Sequence, residues 1–129
     1  MTNYIWVTNQ KAMIHKYPGA NRGVDYLRNE HRHLFKFKTW LEIFGDNRDV
    51  EFIEFKEFID RILHEMKGAL GTKSCEMISN YLYEHISESY PGRKIKIEVS
   101  EDGENGSLYK YKKEKKLDDG KNKKLTEFM

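Results

Sequence analysis

The run from His31 to Phe44, HRHLFKFKTWLEIF, alternates without a break. His31, His33, Phe35, Phe37, Thr39, Leu41 and Ile43 fall on one side of an extended chain. Arg32, Leu34, Lys36, Lys38, Trp40, Glu42 and Phe44 fall on the other. A period of two is the mark of a half-buried strand, so this stretch reads as one long strand. Its mouth carries two histidines whose rings point to the same side.

Other segments sort around it. Residues 3 to 8, NYIWVT, are strand formers, and Pro18, Gly19 and Gly23 mark a loop after them. GDNRD at 45 to 49 is a turn, and VEFIEF at 50 to 55 could be a returning strand. The period then changes. Phe55, Phe58, Ile59, Ile62, Leu63 and Met66 line one face of a helix, with Gly68 as its stop. Ser74 suits the N-cap of a second helix whose buried stripe is Cys75, Ile78, Leu82 and Ile86. Alternation returns at 94 to 101, placing Ile95, Ile97, Val99 and Glu101 together. DGENG turns, and SLYKY is a final strand. The fold class is α+β, an antiparallel four-stranded sheet with two helices on one face.

Composition narrows the function. The chain has 129 residues, one cysteine (Cys75) and 13% aromatic residues, which fits one folded domain without a disulfide framework. No apolar run is long enough to span a bilayer, and the first residues lack the regions of a signal peptide, so a cytoplasmic protein is expected. The net charge of +2 is uneven. Residues 110–129 hold eight lysines and four acids, which leaves −2 for residues 1–109. The expected organisation is a folded domain at 1–109 and a basic, solvated tail at 110–129. The domain is acidic and shows no recognition helix or stacking motif along its sequence, so nucleic acid is not an expected partner.

The histidines point to a metal. His31 and His33 offer two imidazoles on one face of a strand end. His15 closes the first strand region, and the following loop returns it beside the pair if the two strands are neighbours. Three imidazoles and an open position are what a catalytic zinc site uses. His64 and His85 lie on the expected helices. Glu101 ends an apolar alternation, so its carboxylate is set on the inward face near a strand end. A buried carboxylate needs partners. Paired N–H groups of a guanine or pterin edge would supply them.

In this order and spacing the chain resembles the family of 6-pyruvoyl-tetrahydropterin synthase and 6-carboxy-tetrahydropterin synthase. The family pattern is a histidine ending the first strand, then H-G-H opening the second, matched by His15 and by His31-Arg32-His33. FIEF at 52 to 55, KSCE at 73 to 76 and VSEDGENGSLY at 99 to 109 match its later steps. The resemblance covers roughly residues 4 to 110. It implies the tunnelling fold, in which sheets of several subunits join into a barrel, commonly a homohexamer with the site at a subunit boundary. It implies Zn2+ on His15, His31 and His33, and a pterin-type ring held by Glu101. The implied function is that of a zinc-dependent pterin lyase or isomerase acting on 7,8-dihydroneopterin triphosphate or a related compound, in a deazaguanine or queuosine-type pathway.

Some family features are missing. The loop before His31, GVDYLRNE, lacks the family's catalytic cysteine, leaving Asp25 and Glu30 as the acids there, and Cys75 sits on another element. The Asp-His pair is absent; ILHEMKG offers His64 alone. The metal and ring-binding parts are therefore expected, with the acid–base part altered and the catalytic residues unassigned. The alternative is a divergent tunnelling-fold protein that binds another pterin or purine-like ligand without the family's usual chemistry.

Overall fold

Two strands of thirteen residues, β1 (Asn3–His15) and β2 (His31–Ile43), pair antiparallel along their whole length in a computed structural model that describes residues 1–66, 71 and 73–112. A short 3-10 turn, Asp25–Arg28, interrupts the loop that joins them. Two helices follow, α1 (Phe52–Glu65) and α2 (Cys75–Ser89), then β3 (Ile95–Glu101) and β4 (Asn105–Tyr111). The sheet order is β1-β2-β3-β4, every pair antiparallel. The chain adopts the expected α+β fold, four antiparallel strands and two helices.

Both helices cover the inward face, the face of the odd-numbered residues of β1, β2 and β3. Met13, Phe35, Phe37, Leu41, Ile95, Ile97 and Val99 are almost fully buried there. They meet Phe55 and Ile59 of α1 and Ile78, Leu82 and Ile86 of α2, all equally buried. Each such side chain contributes about 1.5–3 kcal/mol by leaving water, and this layer carries most of the stability. β4 is pinned from its end. Tyr111 stacks on Tyr83 with ring centroids 4.0 Å apart, and its hydroxyl donates to Asn80 Oδ1 at 2.7 Å.

β1 runs seven residues further than the strand formers at 3 to 8 suggested. Its middle is polar on the inward side, where Asn9 and Lys11 serve α1. Asn9 Nδ2 donates to the Asp60 carboxylate and to Lys56 O, and Lys11 Nζ donates to Leu63 O and, at 2.6 Å, to Met66 O. The ammonium thus satisfies carbonyls at the C-terminal end of α1, where helix dipoles favour a cation.

One expected element is absent. The segment 50 to 55 is no returning strand: α1 begins at Phe52, capped by Glu51, whose carboxylate accepts the Glu54 N–H at 2.9 Å. Burial of Phe55 with Ile59, Ile62 and Leu63 needs the helical period from the start. Ser74 caps α2 as expected, its Oγ accepting from Met77 N at 3.2 Å. Gly68, expected to stop α1, and the tail beyond residue 112 lie outside the described residues. No helix among the described residues is long and apolar enough to cross a membrane.

A candidate metal centre at one end of the sheet

Register assembles the site. His15 stands directly opposite His31, Met13 opposite His33, and Phe35 opposite Glu101. All of these face inward, so one rung of β1, two of β2 and the last residue of β3 bring four polar side chains together. His15, His31, His33 and Glu101 each offer a ligand atom, and these atoms lie within 4.8 Å of one another. The three rings meet edge to face, with centroids 4.5 Å (15–31), 4.8 Å (31–33) and 5.4 Å (15–33) apart. Phe35 forms the floor, its ring 5.2 Å from that of His15.

Each imidazole is oriented by an oxygen on its far side. His15 Nδ1 lies 3.0 Å from Lys73 O, and His31 Nδ1 lies 2.9 Å from Asn29 O. A carbonyl only accepts, so Nδ1 carries the proton in both rings, and in the neutral form Nε2 holds a free lone pair. His33 Nδ1 lies 2.7 Å from Asp102 Oδ2. The three rings thus share one tautomer, with Nε2 left as the donor atom.

Those donor atoms are unusual in their surroundings. Nε2 of His15 and of His33 are buried and make no hydrogen bond. Both nevertheless lie close to Glu101 Oε2, at 2.8 Å and 3.2 Å. Lone pairs and a carboxylate oxygen repel at such distances unless positive charge stands among them. Three imidazoles with a carboxylate beside them form a group that could hold a metal ion. The residues fit a metal on chemical grounds: aligned tautomers, buried orphan nitrogens and a neighbouring anion.

Asp102 does not stand out in the sequence. It sits in the tight turn between β3 and β4, where Asp102 (φ 60°) and Gly103 (φ 73°) both take positive φ and Glu104 N returns to Glu101 O at 3.1 Å. Consecutive positive φ values give the type I′ hand that suits a hairpin, and Asp-Gly is a preferred pair for it. The turn aims the carboxylate back at β2. Oδ1 accepts Leu34 N at 2.9 Å, Asp102 N donates to Leu34 O at 2.7 Å, and Oδ2 holds His33. The Leu34 N–H first, then the His33 contact, keep the Asp102 carboxyl below its ordinary range. The DG dipeptide is the available signal, but on its own it announces only a turn.

The centre opens onto a cavity of about 560 Å³. His15, His31 and Glu101 line it from the sheet, and Ser74, Cys75 and Glu76 line it from the start of α2. Cys75, although on a different element from the family's cysteine, therefore faces the same space. Burial, and then the charges of Glu101 and Glu76, push its thiol up to about 12, so it stays protonated near neutrality. The remaining expected acids and histidines go elsewhere. Asp25 and Glu30 are exposed on the β1–β2 loop, His64 is exposed on α1, and His85 packs edge-on to Tyr81 at 4.6 Å.

No protein-family model matches the chain, and no curated protein matches it. The case for function rests on this geometry and on the residue pattern.

Proposed function

We propose that the protein is a zinc-dependent enzyme acting on a small polar heterocycle of the pterin type, similar in role to 6-carboxy-tetrahydropterin synthase. The observation that carries the metal assignment is the shared tautomer: three imidazoles fixed through Nδ1, with Nε2 of His15 and His33 beside Glu101 and a ligand atom of His31 within 4.8 Å of the others. The pterin assignment rests on the resemblance of His15, His31-x-His33 and Glu101 to the family pattern. In this reading His15, His31 and His33 hold the ion. Bound zinc would polarise a substrate oxygen and ease loss of its proton. Glu101, at the boundary between histidines and cavity, would accept N–H groups of the ring. Phe35 and the start of α2 would exclude water from one side.

The test is metal content followed by turnover. Purified protein should carry about one zinc per chain, His31→Ala should carry none, and the zinc-loaded protein should consume 7,8-dihydroneopterin triphosphate. A metal-free native protein would remove the zinc assignment; a zinc-loaded protein inert to this substrate would remove the pterin lyase assignment alone. One observation favours a second reading. The thiol facing the cavity is held protonated, and the β1–β2 loop supplies no cysteine. A metal-bearing protein that binds a pterin or purine-like ligand without the family's chemistry accounts for both. Thermal stabilisation by such ligands without turnover, abolished by Glu101→Ala, would favour this second reading. The proposed oligomer is a hexamer with the site at a subunit boundary, and sedimentation of the native protein tests it.

A further inference from the structure

The outward face of the sheet has no helix over it among the described residues. Its composition is set by register, which gathers residues far apart in sequence. Trp6 stands opposite Trp40, and Trp40 opposite Lys96. Lys38 stands opposite Glu98, and Lys96 opposite Lys110. Five cations on this face (Arg32, Lys36, Lys38, Lys96 and Lys110) outnumber two acids, Glu42 and Glu98. Four of these cations lie within residues 1–109, which as a whole carry −2.

The aromatic rings and the cations are interleaved. Lys38 Nζ lies 4.5 Å from the Trp6 ring centre and 5.0 Å from that of Trp40, and Lys96 Nζ lies 4.6 Å from the Tyr4 ring. Trp6 is 56% exposed and Leu108 50% exposed, comparable to Phe44 and Phe52 elsewhere on the surface, so the pairing of rings with cations is what marks this face. A concavity of about 890 Å³ meets this face at Lys36, Lys38, Glu98 and Leu108; Glu104 and, from α1, Lys56 and Asp60 also line it, and neither tryptophan does.

Each candidate occupant must answer both features. A second copy placed face to face would set lysines against lysines. An acidic peptide would meet the cations and leave the tryptophans without a partner. A nucleic-acid duplex presents phosphates but keeps its bases stacked inside. A single strand offers phosphates for the ammonium groups and free π-faces for the rings. We propose that this face binds single-stranded nucleic acid, with bases laid on Trp6 and Trp40 and phosphates met by Lys36, Lys38 and Lys96. The inference is independent of the metal centre, whose residues point to the other side of the sheet.

The chain contains two tryptophans, and both are on this face. Intrinsic fluorescence therefore reports the face and not the lysine-rich tail. The experiment titrates the full chain with a 12-nucleotide oligothymidylate, with a duplex of the same length and with inorganic polyphosphate. The single strand is expected to bind and to quench tryptophan emission, while polyphosphate and duplex bind more weakly without quenching. For three phosphate contacts the affinity should fall with salt at a log–log slope of about −2. Trp6→Ala should weaken binding roughly 5- to 100-fold. Lys38→Gln with Lys96→Gln should flatten the slope by about 1.4, with zinc content unchanged in both variants. Binding without quenching, or equal affinity of the parent and both variants, would assign the strand to the tail and overturn the proposal. Equal quenching by polyphosphate would overturn it too. A sedimentation mass that drops to one chain in Trp6→Ala would make the face a self-association surface, and single-strand binding there would again be refuted.

Discussion

The two faces of one sheet differ in what the same alternation delivers. On the inward face, Phe35, Phe37 and Val99 are buried under two helices, and the row ends in three histidines and a glutamate. On the outward face, Trp6, Lys38 and Trp40 remain partly open to water. Most polar groups of the inward face have a partner built in, although Thr39 Oγ1 and Asn9 Oδ1 make no hydrogen bond. Asn9 and Lys11 are absorbed by α1, and the Nδ1 atoms of His15, His31 and His33 by neighbouring oxygens. The two orphaned Nε2 atoms, of His15 and His33, are distinguished by a carboxylate oxygen, Glu101 Oε2, 2.8 Å and 3.2 Å away. Polar groups on the outward face can turn to water, so only their massing is informative.

The contrast can be broken most severely through the core. Phe37→Ala, at a position 1% exposed, should cost about 3–5 kcal/mol in denaturant unfolding. Trp6→Ala, which removes a larger side chain from the open face, should cost under about 1 kcal/mol. Equal losses would mean that the outward face is covered in solution. The next effect is on metal. His31→Ala should lower zinc affinity by more than about 100-fold, beyond the usual range for a group that only orients a ligand, while leaving tryptophan emission unaltered. Asp102→Asn keeps the shape of the turn but weakens the grip on His33. Competition with a chelator should show zinc affinity reduced roughly 10- to 100-fold. A value equal to the parent's would show that the turn orients nothing.

Much of the inward face was legible because alternation survives wherever side chains are apolar. β2 was readable from His31 to Ile43, and the return of His15 beside His31 followed from pairing two adjacent strands. Glu101 stood out as an acid closing an apolar row. The second half of β1 was not legible, because Asn9 and Lys11 break the pattern in order to serve a helix fifty residues away. The segment at 50 to 55 is rich in strand-forming residues, and only the Glu51 cap and the depth of Phe55 reveal α1. Asp102 was hidden as a turn residue. The outward face was least legible: four separate segments, each unremarkable alone, become an aromatic and cationic surface only once the register is fixed.

The smallest expected effect lies at the other end of β2, where both faces run out. Asp49 Oδ2 accepts Phe44 N at 2.8 Å and Arg93 Nη1 at 2.8 Å, and Arg93 also donates to Glu42 O. The Arg93 hydrogen bond first, then the Phe44 N–H, hold the Asp49 carboxyl below the ordinary carboxylate range. Because the folded state prefers the charged form, its contribution to stability is complete above the unfolded pKa. It is lost as pH falls through the lower folded value. Asp49→Asn should therefore lower the melting midpoint by no more than a few degrees at neutral pH, since the pair is exposed and screened. The gap between variant and parent should close as pH falls through that lowered value. Zinc affinity should stay the same, because the candidate metal ligands lie at the opposite end of the strand. A gap that persists in acid, or widens, would assign the stabilisation to the shape of the turn, with no part for the Asp49 charge.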